Sequence, residues 1–142
     1  MEQALNEMGI AHFSDRSYHA LSGGEKQRVH LARVLAQIYE SDDAILFLDE
    51  PINGLDMQYQ QIILDKARQM ADRGWTVICI LHDINFAARY ADKILILKQG
   101  EVKHYGTPSE TITAENMLET YQTRVKVLHD PEIGYPFIIP LS

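Results

Sequence analysis

The sequence predicts an α/β fold in which helices flank a mostly parallel sheet. Apolar residues run without interruption over 44–48, and again over 77–81 within a second predicted strand that begins at Thr76, a pattern that is typical of parallel strands buried on both faces. Apolar residues also recur on one helical face over 23–40 and over 57–73, which predicts two amphipathic helices. Long helices that alternate with short apolar strands favour parallel crossover connections.

Helices are expected both before and after the first strand. A helix over 2–8 is closed by Gly9, and the first long helix follows over 23–40. The helix over 57–73 is predicted to end at Gly74, because glycine is favoured directly after a helix.

The C-terminal part is predicted to consist of shorter elements. A helix over 84–90 follows the second strand, and strands over 94–98 and 101–105 form a hairpin around Gln99-Gly100, a pair that suits a tight turn. The remaining elements are a short helical segment opened by Gly106-Thr107-Pro108, a helix over 114–121, and two short edge strands within 125–141 around a turn at 131–134.

The segment with the clearest chemical meaning opens the first long helix and reads Leu21-Ser22-Gly23-Gly24-Glu25-Lys26-Gln27. Ser22 can cap the first amides of the helix, and Glu25 stands three residues on, where a capping box has its acid. The two glycines have no Cβ, so a large anion can approach the amides of the first turn. Because the positive end of the helix dipole also favours an anion, the segment predicts a phosphate site.

Two carboxylates, Asp49 and Glu50, directly follow the strand over 44–48. They are therefore expected at the carboxyl edge of the sheet, where open α/β sheets bind their ligands. One acid can hold a hydrated Mg²⁺ while the other orients or deprotonates an attacking water. Taken alone, either acid could simply cap the next turn.

The motifs and their order resemble those of the ATP-binding subunits of ABC transporters. The match consists of a signature motif at 21–27, a Walker B strand at 45–50, a D-loop at 53–56 and a switch histidine at His82. The D-loop departs from the usual pattern, since it reads Ile52-Asn53-Gly54-Leu55-Asp56. The resemblance implies the C-terminal portion of a P-loop NTPase (RecA-like) nucleotide-binding domain.

The Walker A motif of that family is missing. It requires Gly-x-x-x-x-Gly-Lys-Ser/Thr, and no glycine in this sequence is directly followed by lysine. Residues 1–142 are therefore expected to form a partial nucleotide-binding domain. Although the family hydrolyses ATP, this chain alone is predicted to be inactive.

The resemblance also implies site residues. For binding ATP, whose γ-phosphate would be held between two subunits, it implies Ser22, Gly23, Gly24, Glu25 and Asp56. For catalysis it implies Glu50 as the group that activates water and His82 as a sensor of the γ-phosphate, with Asp49 binding Mg²⁺ through water. Asp56 can also serve as the N-cap of the helix that follows it.

The partners implied by the resemblance are a second ATP-binding subunit, in a homodimer, and membrane permease subunits. The chain would then act at the cytoplasmic face of the inner cell membrane as a peripheral protein, without contacting the transported substrate. The spans 29–37 and 121–140 resemble the ATPases of importers for haem, iron siderophores and cobalamin. Haem is the expected substrate, and siderophore or cobalamin is the alternative.

Two functions from other classes stay open. The chain could be a non-catalytic interaction module that lends its signature loop to an intact partner. It could also be the C-terminal lobe of an SMC-like or translation-associated ATPase, although such a protein would have a long coiled coil before the signature.

Composition is that of a globular domain. The sequence is 46% hydrophobic and 23% charged, which are ordinary globular values. A formal net charge of -7 argues against a general nucleic-acid binder, which usually presents a basic face. The single cysteine, Cys79, excludes a disulfide framework within the chain.

Overall fold

The computed structural model describes residues 10–13, 15–38 and 43–141. The helix expected over 2–8 and its end at Gly9 lie outside these residues. Two compact units make up the chain, Met1–Ile80 and Leu81–Ser142.

The first unit contains two long helices and a parallel pair of strands. Its elements are α1 (Gly23–Ile38), β1 (Ile45–Asp49), α2 (Met57–Asp72) and β2 (Thr76–Ile80), preceded by short 3-10 turns at Ala11–Phe13 and Tyr18–Ala20. Strand β1 pairs with β2 in parallel, with Phe47 opposite Ile78, and α2, which connects the strands, packs against β2. The predicted strand–helix–strand crossover is therefore confirmed.

Strand β1 is buried on one face only, so the prediction of burial on both faces is wrong. Leu46 and Leu48 are 3% and 8% exposed, whereas Ile45 and Phe47 are 75% and 60% exposed. Successive side chains of a strand point to opposite faces, and within the described part of this unit only one face is covered. Ile78, which lies opposite Phe47, continues the exposed apolar face on β2.

The second unit is built from short helices and two antiparallel hairpins. Its elements are α3 (Ile84–Tyr90), β3 (Ile94–Lys98), β4 (Glu101–Gly106), α4 (Pro108–Thr111), α5 (Ala114–Tyr121), β5 (Val125–His129) and β6 (Pro136–Pro140). Strand β3 pairs with β4, and β5 pairs with β6. Six buried side chains form its core: Ala88, Ile96, Ile112, Met117, Val125 and Ile138.

The α/β class is confirmed, but the share of parallel pairing is smaller than predicted. Among the described strands, one pair is parallel and two pairs are antiparallel. The antiparallel pairs arise because short turns, at 99–100 and within 130–135, join consecutive strands directly, and such turns permit only antiparallel pairing. None of the helices in the described ranges combines the length and the hydrophobicity that a membrane span requires.

Candidate functional site

The start of α1 is closed by the predicted capping box. The Ser22 N–H donates to Glu25 Oε2 at 2.7 Å, and the Glu25 N–H donates to Ser22 Oγ at 3.3 Å. Hydrogen bonds from the backbone and side chain of Ser22 hold the pKa of Glu25 below its usual value. Because these bonds fix the helix start, the first-turn amides, which have no acceptor within the helix, take a defined orientation.

The two glycines of this turn are needed for different reasons. A Cβ on Gly23 would have no atom within 4 Å, whereas a Cβ on Gly24 would lie 2.9 Å from Leu55 Cδ2. Gly23 thus leaves open space beside the first turn, as a phosphate site requires. Gly24 instead permits close packing against the 53–56 segment, a reason that no local sequence pattern indicates.

The two acids stand at the carboxyl end of β1, as expected. Asp49 is the last residue of the strand and is exposed, and Glu50 directly after it is half-buried. The Asn53 side chain donates from Nδ2 to Glu50 Oε2 at 3.0 Å, and the Asn53 N–H donates to the Glu50 carbonyl at 3.2 Å. Asn53 therefore closes a turn at Glu50 and also contacts its carboxylate.

Helix α1 reaches this turn through Gln27, a residue to which the sequence analysis gave no role. Its Nε2 donates to the Pro51 carbonyl at 2.6 Å and is 3.4 Å from the Glu50 carbonyl. The next residue, Arg28, is buried and places its guanidinium 3.8 Å from the centre of the Tyr59 ring on α2. Helical spacing could have indicated both, because they lie four residues after Gly23 and Gly24 and so on the same helix face.

Asp56 is the N-cap of α2, as predicted. Its Oδ1 accepts from the Tyr59 N–H at 3.1 Å. The Gln60 side chain donates to the carbonyl of the preceding residue, Leu55, at 3.0 Å. These two contacts hold the end of the 50–56 segment against the start of α2, and the nucleotide role of Asp56 stays a prediction.

His82 belongs to the second unit, where it is exposed and directly precedes the N-cap of α3. That N-cap is Asp83, whose Oδ1 accepts from the N–H groups of Asn85 at 2.8 Å and Phe86 at 3.1 Å. The start of α3 is therefore well defined directly after His82. Its role in sensing phosphate stays a prediction.

Sequence comparison gives one family for this chain. Residues 1–53 match the ABC transporter family. The hemin import ATP-binding protein HmuV of Pseudomonas fluorescens is 48% identical over 96% of this chain and 54% of its own length. HmuV of Bartonella henselae is 44% identical over 98% of this chain and 54% of its own length. The chain thus spans about half the length of the curated relatives it matches.

Structural comparison gives the same family. An ABC transporter solved in an inward-facing conformation superimposes with a TM-score of 0.79 at 27% identity, over 99% of this chain and 56% of that one. CbiO1 of Clostridium perfringens, part of the ABC transporter complex CbiONQ, has a TM-score of 0.64 at 34% identity, over 83% of this chain and 46% of that one. The chain is therefore similar, in sequence and in structure, to about half of an ATP-binding subunit of ABC transporters.

Proposed function

We propose that this chain provides the signature and Walker B part of an ATP-binding subunit that energises haem uptake through a membrane permease. Haem is supported as the substrate by the two relatives that are 44% and 48% identical, both of which are hemin import ATP-binding proteins. What supports ATP is the site at the start of α1. A single observation carries the proposal: the capped first turn has open space beside Gly23.

In this proposal the first turn of α1 binds phosphate oxygens. The γ-phosphate belongs to a nucleotide that is held by the second ATP-binding subunit of the dimer. It accepts hydrogen bonds from the amides of Gly23 and Gly24 and from the hydroxyl of Ser22. Glu25 keeps the turn in shape through the capping box. Asp56 belongs to the same nucleotide-binding set, at the start of α2.

The acids after β1 carry the hydrolytic step. Asp49 is exposed at the strand end, where a carboxylate can hold Mg²⁺ through its water shell. The ion, when bound, neutralises charge on the phosphate oxygens. Glu50 orients the attacking water and accepts its proton, and His82 donates a hydrogen bond to the phosphate.

The proposed partners are a second ATP-binding subunit, in a homodimer, and the permease subunits of the importer. Such a chain works at the cytoplasmic face of the membrane as a peripheral protein. It does not contact haem itself, because the permease carries the substrate.

ATP hydrolysis by a reconstituted subunit tests the catalytic part of the proposal. We expect no phosphate release from the chain alone, since its sequence has no Walker A lysine. Co-production with the N-terminal part of the Pseudomonas fluorescens relative should restore turnover. Glu50→Gln should lower that turnover by about 10²-fold or more, as loss of a general base does, and Glu115→Gln, an exposed acid on α5, serves as the control. Turnover that survives Glu50→Gln unchanged would contradict the role of Glu50.

Growth on haem as the sole iron source tests the substrate. A bacterium that lacks its own hemin-import ATPase should grow when it produces the reconstituted subunit together with the matching permease. Growth on a siderophore but not on haem would replace haem by the alternative substrate.

A second candidate function is a non-catalytic module that lends its signature turn to an intact subunit. It is favoured by the signature turn itself, which is capped and has open space beside Gly23. In that case the chain should change the ATP turnover of an intact relative, and Glu50→Gln in this chain should leave the change unaltered. Dependence on Glu50 would exclude the module.

A further inference from the structure

Glu50 has a backbone conformation that its neighbours in the sequence do not favour. Its φ is +46°, in the left-handed region, which is unfavourable for residues that carry a Cβ. The next residue is Pro51, and a proline ring narrows the conformations open to the residue before it. The surrounding structure must therefore hold Glu50 in place.

Two other non-glycine residues among those described have positive φ, and both have an ordinary reason for it. Gln99 lies in the two-residue turn between β3 and β4, and Gln122 is the C-cap of α5. Left-handed conformations are common at both kinds of position. Glu50 follows a strand and has neither reason, so its conformation points to a role at the site.

The contacts that hold Glu50 come from two directions. Asn53 closes the turn from within the 50–53 segment, through its N–H and its side chain. Gln27 reaches the same turn from α1 and donates to the Pro51 carbonyl at 2.6 Å, with the Glu50 carbonyl 3.4 Å away. Gln27 is thus the link from the signature helix to the peptide group that follows Glu50.

We propose that Gln27 is a positioning residue that keeps Glu50 in its left-handed conformation, so that the signature helix and the water-activating carboxylate of one subunit move together. This inference rests on the proposed function for the role of Glu50, but the geometry it invokes does not need a nucleotide. Displacement of α1 would withdraw the Gln27 amide and release the turn at Glu50. The first turn of α1 and the carboxylate would then respond jointly when phosphate binds.

Hydrogen exchange of the Asn53 amide tests the inference in the full chain, measured by mass spectrometry at low protein concentration without nucleotide. Gln27→Met keeps the length of the side chain and removes the donor. It should speed exchange of the Asn53 amide by about tenfold, the change that loss of one hydrogen bond allows. Gln60→Met is the matched control, because Gln60 donates to the Leu55 carbonyl in the same segment but not to the turn at Glu50. It should leave Asn53 unchanged.

The variant Glu50→Gly tests whether Gln27 acts by holding the left-handed conformation of residue 50 or only by packing against the turn. Glycine adopts positive φ readily, so in the Glu50→Gly background Gln27→Met should have little effect on Asn53 exchange. An effect that persists undiminished in that background, or equal effects of Gln27→Met and Gln60→Met, would overturn the proposal. Failure of the reconstituted subunit to hydrolyse ATP would count against the proposed function and would leave this measurement unaffected.

Discussion

At the scale of single residues, the contact between Gly24 and Leu55 couples the signature turn to the segment before α2. A Cβ on Gly24 would lie 2.9 Å from Leu55 Cδ2, while Gly23 has no such neighbour. We expect Gly24→Ala to be less stable than Gly23→Ala by about 1–3 kcal/mol, the usual effect of an overpacked contact.

Urea unfolding of Gly23→Ala and Gly24→Ala, each with Leu55 intact and with Leu55→Ala added, measures this coupling. Leu55→Ala should remove most of the difference between the two alanine variants, because the clashing atoms are then absent. A non-additive term of about 0.5–3 kcal/mol is expected for residues in direct contact. Equal stability of Gly23→Ala and Gly24→Ala would show that Leu55 moves aside without loss.

The thiol of Cys79 on β2 loses its proton at a higher pH than an ordinary cysteine thiol does. Burial raises the pKa of Cys79 from its ordinary value of 9.0 to about 11. Alkylation of the folded chain at pH 8 should therefore be slower than alkylation of the chain unfolded in denaturant, because the thiolate is the reactive form.

The same pKa gives a pH dependence of stability. The folded chain keeps the Cys79 proton over the range between pH 9.0 and about 11, whereas the unfolded chain loses it, so the free energy of unfolding should fall as pH rises through that range. Cys79→Ser should lose this part of the pH dependence. An identical pH profile for the variant would contradict the assignment.

At the scale of elements, the Ser22 cap defines the start of α1, and its contribution can be measured against a serine at a similar position. Ser22→Ala should destabilise the chain by about 1 kcal/mol, since it removes the side-chain acceptor of the Glu25 amide. Ser17 precedes the 3-10 turn at Tyr18–Ala20 without a side-chain cap hydrogen bond, so Ser17→Ala should have almost no effect. Comparable losses for the two variants in thermal unfolding would mean that the cap bond is not what stabilises α1.

Features with a local cause could be predicted from the sequence. The helix at Ile84–Tyr90, the turn at Gln99-Gly100 and the Ser22–Glu25 capping box agree with the structure, because each depends on residues within one turn of the chain. The exposed face of β1 could not be predicted, since an apolar run does not tell which of its faces is covered.

The candidate site was predictable to a similar extent. The positions of Ser22 and Asp49 at element ends follow from caps and strand limits. The bond from Gln27 to the Pro51 carbonyl spans 24 positions, with the Glu50 carbonyl 3.4 Å from the same nitrogen, and no local pattern indicates such a contact. The position of the acid is therefore predictable from the sequence, whereas its contact with α1 through Gln27 is not.

At the scale of the whole molecule, each unit presents an apolar sheet face that is exposed among the described residues. On the β1–β2 pair this face carries Ile45, Phe47, Ile78 and Ile80, and on the β3–β4 pair it carries Leu95, Leu97, Val102 and Tyr105. Contiguous apolar surface of this kind favours association with other chains. Since the chain spans about half the length of its relatives, we expect these faces to pack against polypeptide that corresponds to the remainder.

The free chain should therefore melt over a broad range of low temperatures and should aggregate as its concentration rises. Co-production with the N-terminal part of a relative should correct both properties.

Two variants of β1 test the role of the exposed face. Phe47→Ser removes apolar area from that face, so it should reduce aggregation of the free chain and also weaken the rescue by the N-terminal part. Leu48→Ser, on the buried face of the same strand, should instead destabilise the chain by about 2–5 kcal/mol, as truncation of a buried leucine does. Light scattering and calorimetry across a concentration series distinguish the two. A sharp two-state melt of a monomer at an ordinary mesophilic temperature would show that the chain is stable alone and that these faces need no cover.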